Sequence, residues 1–227
     1  MPSPWQVLDP SLPLLAATYG KQQVRMVALG LRGGGLVVAS PGTRGDEARA
    51  ALAEVAGPSE VRFLLAPNHF HNAGLADWQR AFPSAQIVAH PTAQPRLRKK
   101  LPGLTIHGLE ALAAALPDGA SLHSPPMAKQ GETWLAVVRP DLRVLYVCDA
   151  IVNLRTVGFP FTLAGFRNRL MTNPFFKRLF LRDKRAYQAW AAETLTTLAP
   201  TLFVPSHGEL ERGPEVTAAL LAVTAAA

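Results

Sequence analysis

Three times along this chain, a short apolar run stops abruptly at a polar, chemically capable side chain. VRFLLAPNHFHN (61–72) runs out into His69 and His71, VLYVCDAIVN (144–153) into Asp149, and TLFVPSHGE (201–209) into His207. Short apolar runs bounded by Pro or Gly read as buried strands. Strand ends lie at the rim of a sheet, so the residues that follow them are presented at an open edge. Such a chain is expected to build sheets whose rims carry its chemistry, with helices covering the faces.

At 227 residues the chain has room for one domain with a substantial core, and a single domain over 1–227 is expected. No apolar run reaches the length of a membrane span. The single cysteine, Cys148, excludes an internal disulfide framework and a cysteine-based zinc knuckle. The opening MPSPWQVLDPSLPLLAA lacks a basic start and is broken by Pro10 and Pro13. It does not read as a secretory signal, so a soluble cytoplasmic protein is the expectation.

The local signals give a mixed order of elements. Val24–Leu31 and Leu36–Ser40 read as a hairpin around Arg32-Gly33-Gly34-Gly35. Thr43 is placed to cap a helix to about Ala56, with Asp46 and Glu47 in its first turn and Gly57-Pro58 as its stop. Strands follow at Val61–Ala66 and Ile87–Ala89, with helices at Leu75–Phe82, Thr92–Lys100 and Leu109–Leu116. Thr133–Val138 and Arg143–Cys148 read as strands joined by the Pro140-Asp141 turn. A helix near Asp183–Leu198, a strand at Thr201–Val204 and a last Ala-rich helix opened by Pro214 complete the chain. Trp78, Trp134 and Cys148 read as core residues, and His90 and His107 as surface or capping residues.

In extended chain the side chains of His69 and His71 point the same way, with Cα atoms about 6–7 Å apart. That spacing lets two imidazoles converge on one metal, and a carboxylate and another His from neighbouring strands could complete the shell. Imidazole and carboxylate donors suit Zn, Fe or Mn.

The order glycine-turn hairpin, helix, strand-Pro-Asn-His-x-His, strand-Asp, strand-x-x-His-Gly resembles the metallo-β-lactamase superfamily from about residue 20 to residue 215. The resemblance implies an α+β fold, a four-layer αββα sandwich with a metal site at one sheet rim. Its usual motif is His-x-His-x-Asp-His, then a separate His, an Asp and a last His. His69 and His71 match the first two positions, Asp149 the metal-bridging Asp and His207 the last His. Ala73 and Gly74 stand where the motif has Asp and His, and Ser124-Pro125-Pro126-Met127-Ala128-Lys129 occupies the loop of the separate His, with His123 just before it. The Pro67-Asn68…His71-Asn72…Trp78 pattern also resembles a poorly characterised branch, in whose register His71 takes the first His and Asn72 replaces the second. Both registers keep His71 at the rim.

These departures leave too few ligands for two metals and imply at most a mononuclear site of His69, His71, Asp149 and His207. Asp149 and His207 are the candidate catalytic residues, as water-orienting carboxylate and proton carrier. A metal-dependent hydrolase of a small-molecule substrate is expected. The alternative is a non-catalytic member of the fold that binds a ligand or partner.

Charge is concentrated in one place. Eight of the 23 basic residues lie between Arg155 and Trp190, opposed only by Asp183, and the rest of the chain is neutral. The segment also holds six of the ten Phe residues. So local an excess argues against a general nucleic-acid binder. Three readings of 155–190 follow, in order: Phe packed inward with Arg and Lys in water, a lid over the metal rim, and docking on a peripheral anionic surface.

Overall fold

A computed structural model describes residues 5–9, 11–20, 23–57 and 59–227. Pro10 and Pro58, two of the breakers noted above, lie outside the described residues. The chain divides into two compact units, Met1–Asp118 and Gly119–Ala227.

The first unit contains β1 (Trp5–Asp9), β2 (Leu14–Tyr19), β3 (Val24–Gly30), β4 (Leu36–Ala39), α1 (Gly45–Ala56), β5 (Val61–Ala66), α2 (Leu75–Ala81), β6 (Gln86–Ala89), α3 (Gln94–Lys100), β7 (Ile106–His107) and α4 (Glu110–Ala115). The seven strands form one sheet in chain order. The β1 to β4 pairs are antiparallel and the β4 to β7 pairs parallel. The change follows the connections: the early strands follow one another within a few residues, whereas α1, α2 and α3 carry the chain back between the later ones. One face packs Leu15, Val38, Leu64 and Ile87 against Leu52, Trp78 and Leu97 of the helices. Leu65 and Val37 of opposite parity are also buried, as the continuous apolar run of β5 predicts.

Two expectations change here. The local pattern does not mark β1 and β2 as strands, yet β2 pairs along its whole length with β3. Nor does Thr43 cap α1. Arg44 takes the cap position in a left-handed conformation, with no side-chain cap, and its N–H donates to Asp77 at 3.2 Å.

The second unit contains β8 (Ala120–His123), β9 (Trp134–Val138), β10 (Arg143–Val147), β11 (Ile151–Asn153), β12 (Leu170–Thr172), a π-helical turn (Phe176–Phe180), α5 (Lys184–Leu198), β13 (Leu202–Pro205), β14 (Glu211–Arg212) and α6 (Val216–Ala225). Five strands form a sheet in the order β14-β13-β10-β9-β8, and β11-β12 form a separate ribbon. Only β10 and β13 pair in parallel, because α5 lies between them in the chain. Asp183 caps α5, its carboxylate accepting from Ala186 N at 3.0 Å. Trp134, Leu145, Phe203, Phe176, Tyr187, Leu195 and Leu220 form the core. Among the described residues no helix is long and apolar enough to cross a membrane.

Candidate metal centre

Parallel pairing decides the second unit's contribution. Val147 lies opposite Pro205, so β10 and β13 end level with each other. Asp149 and His207 each follow two residues later and emerge side by side. His207 Nε2 lies 3.1 Å from Asp149 Oδ1, with both side chains largely buried. Neither neighbour in the chain is incidental. Ser206 N donates to Val147 O at 2.8 Å, and Ser206 Oγ meets Tyr146 Oη at 2.6 Å.

The loop carrying His207 is latched to β11. Asn153 N donates to His207 O at 3.1 Å, and Glu209 N donates to Asn153 O at 2.7 Å. Asn153 Nδ2 completes the latch through Glu209 O and Glu211 Oε2. Gly208 sits at φ +100°, and a Cβ there would stand 1.9 Å from Asn153 O. Only glycine allows this turn, which explains the His-Gly pair in physical terms.

Glu132, which the sequence pattern does not single out, stands beside Asp149. It is fully buried, and its Oε1 accepts from Asp149 N and Ala150 N, both at 2.9 Å. A carboxylate with two backbone donors on one oxygen pins the turn that aims Asp149. The available signal was a lone acid at the mouth of an apolar strand, Gly131-Glu132-Thr133-Trp134-Leu135. Glu132, Cys148 and Asp149 also have potential ligand atoms within 4.8 Å of one another. Burial, followed by the charges of Asp149 and Glu132, pushes the Cys148 thiol well up. It stays protonated and is a poor ligand or nucleophile.

In the first unit, the chain after β5 does not continue extended. Asn68 Oδ1 accepts from Phe70 N at 2.8 Å and His71 N at 3.3 Å, bending the loop. The two imidazoles consequently have different partners. Arg96 Nη1 of α3 lies 3.1 Å from His69 Nε2. A guanidinium only donates, so that nitrogen accepts. His71 Nδ1 meets Ser40 Oγ, just past β4, at 2.7 Å. Tyr19 Oη follows 3.3 Å from the same hydroxyl. A second hydrogen bond of this kind orients a ligating imidazole and leaves Nε2 as its ligand atom. Asn72 turns its amide back on the loop, donating to His69 O and Phe70 O. His123 ends β8, with Nε2 2.8 Å from Ser121 Oγ. Burial holds its pKa below the usual histidine value. As donor chemistry, the imidazole of His71 in the first unit and the Asp149–His207 pair in the second are the types of group that bind divalent metal ions.

The same chain fold recurs in solved structures. A metallo-β-lactamase from Erythrobacter litoralis matches with a TM-score of 0.63 at 12% identity, over 98% of this chain and 96% of that one. One from Pontibacter korlensis matches with a TM-score of 0.61 at 11% identity, over 97% of each chain. One from Hirschia baltica matches at 0.60 and 10%, over 97% of this chain and 96% of that one. The fold is that of the metallo-β-lactamases. No family model matches the sequence, and neither does any curated protein.

The backbone around Gly74 is closely packed. A Cβ at Gly74 would lie 1.9 Å from Gly42 O and 2.4 Å from Pro41 O. Gly74 N itself donates to Pro41 O at 3.1 Å, and Trp78 Nε1 donates to Gly42 O at 2.8 Å. The backbone has closed over the space that a side chain at position 74 would need. No side chain fits there without moving main chain.

Proposed function

We propose that the chain is a hydrolase working with one divalent metal ion, with Asp149 and His207 as ligands and His71 as the third donor that the family resemblance implies. The observation that carries this reading is the Asp149–His207 pair at 3.1 Å, set at the level ends of two parallel strands and fixed from below by Glu132. Two imidazoles and a carboxylate are a sufficient catalytic donor set, since such sites use three protein ligands and keep one position open. The Ser40–His71 bond supports His71 as the third donor. Zinc is the proposed ion, with iron or manganese as alternatives. His69 joins as a fourth donor only if the Arg96 guanidinium releases its Nε2. The closed backbone at Gly74 supports a single-metal site. Coverage of nearly the full length of the structural neighbours supports treating 1–227 as one working domain.

When bound, the ion would lower the pKa of a water to about 7 and polarise an ester, thioester or phosphoester oxygen. Asp149 orients the attacking water and accepts its proton. His207, whose Nε2 lies 3.1 Å from Asp149 Oδ1, would share the ion with that carboxylate, and Asp149 passes the proton on to the leaving group as its bond to the acyl or phosphoryl centre breaks.

Metal analysis of protein purified without chelator or metal-affinity resin tests the reading. The expected content is close to one equivalent of Zn, Fe and Mn together. Less than about a tenth of an equivalent overturns it and supports a non-catalytic binding protein of the same fold. His71→Ala and Asp149→Asn should each release most of the metal; unchanged loading in both defeats the ligand assignment.

A further inference from the structure

The segment 155–183 does not bury its aromatic residues as a set. Phe166 and Phe176 are in the core, but Phe159 is 81% and Leu163 78% exposed, and Phe161, Phe175 and Leu179 are exposed as well. The packed-inward reading holds for only part of the segment.

The projection is built, not loose. Residues 158–166 form a turn closed by Thr162 N to Gly158 O, Leu163 N to Pro160 O, Gly165 N to Thr162 O and Phe166 N to Phe161 O. Phe166 anchors its base, edge-on to Phe161 and Phe175. Arg167 Nη1 donates to Thr162 O at 2.9 Å and Phe166 O at 2.7 Å, and Arg178 Nη1 to Ala164 O at 3.0 Å. Two guanidinium groups therefore lie against the turn that holds Phe159 and Leu163 out. Next to it is a groove of about 400 Å³, lined by Gly165, Arg169, Leu170, Met171, Lys177 and Arg178 among others. The segment's one acid, Asp183, is occupied as the cap of α5.

We propose that this face docks on an anionic phospholipid bilayer, with Phe159 and Leu163 entering the headgroup–acyl boundary and Arg167, Arg169, Lys177 and Arg178 engaging lipid phosphates. Charge complementarity selects the occupant: a strongly cationic base surrounds a projecting apolar tip, the combination that binds peripheral proteins to anionic interfaces. A protein partner would be met by a flatter patch, with its large apolar residues at the centre and charge reduced there. Lys177 Nζ also donates to Ala226 O, which ties the groove to the end of α6. The proposal is independent of the metal site.

Co-sedimentation of the full chain with vesicles tests it, comparing phosphatidylcholine alone with phosphatidylcholine containing about 30 mol% phosphatidylglycerol. The expected result is binding to the anionic vesicles at least about tenfold stronger than to neutral ones, and weakened by salt. The pair Phe159→Ser/Leu163→Ser removes the tip without touching the core and should lower binding by about tenfold or more. The triple variant Arg169→Gln/Lys177→Gln/Arg178→Gln should lower it by about a hundredfold, since each surface cation contributes about fivefold. No vesicle binding, equal binding to both compositions, or unchanged binding by the Phe159/Leu163 variant overturns the proposal. So does a concentration-dependent dimer in light scattering that this variant abolishes, because a second copy would then be the occupant. Unchanged melting temperature establishes that the Phe159/Leu163 variant is folded.

Discussion

Glu132→Ala removes the acceptor for two backbone donors, and its cost can be worked from the hydrogen bonds. Both bonds, to Asp149 N and Ala150 N, are 2.9 Å long, and Ala150 is fully buried. Hydrogen bonds to an ionised partner contribute about 1.5–3 kcal/mol each, and a donor stranded out of water loses that contribution without replacement. The expected loss is about 3–6 kcal/mol, a large fraction of the roughly 5–15 kcal/mol that stabilises a typical domain. Glu132→Gln keeps an oxygen in the same place but gives up the charge, so it should lose only about 1–3 kcal/mol. Urea titration followed by tryptophan fluorescence reads both, because Trp134 and Trp190 pack 4.8 Å apart in the same core. With a slope of about 2 kcal/mol/M, the Ala midpoint falls by about 1.5–3 M and the Gln midpoint by clearly less. An Ala variant within about 1 kcal/mol of the parent would refute the claim that Glu132 holds the Asp149 turn.

Gly74→His would bring a Cβ into collision with Gly42 O, so the variant should be insoluble or destabilised by about 3 kcal/mol or more. A folded Gly74→His protein binding two metal equivalents would contradict this. Ser40→Ala takes the partner from His71 Nδ1 and should weaken metal affinity about 10- to 100-fold while leaving secondary structure intact, which titration against a competing chelator measures. Burial lowers the pKa of both His90 and His123 from 6.5, so their neutral forms are favoured in the folded chain. Their stabilising contribution is complete above about pH 6.5 and is lost as pH falls through the lowered folded values, because the unfolded imidazoles protonate first. Denaturation midpoints should therefore fall between pH 7.5 and pH 5.5, and His123→Gln should flatten the slope; an unchanged slope would remove His123 from the account.

Much of this was visible along the chain because it is local. Apolar runs broken by Pro and Gly marked β5, β10 and β13, and the residues just past them, His71, Asp149 and His207, were legible as candidate donors. Asp183 before Lys184-Arg185-Ala186 was legible as a helix start, and Cys148 as a core residue. β2 was not legible, because LLAATY has little alternation and becomes a strand by pairing with β3. Thr43 had the right chemistry for a cap, but the backbone at Arg44 was drawn to Asp77 instead.

The side-chain partners were a different matter. An extended chain would point His69 and His71 alike, but Asn68 bends the loop and sends one ring to Arg96 and the other to Ser40. Glu132 precedes Asp149 by 17 residues, and nothing in either neighbourhood announces that they meet. Strand ends and donor types follow from short-range pattern, since burial and turn chemistry are set within a few residues. Which donor faces which depends on register and on loops closing over long separations. The parallel match of Val147 with Pro205 brings Asp149 to His207, and that pairing exists only once the sheet has formed.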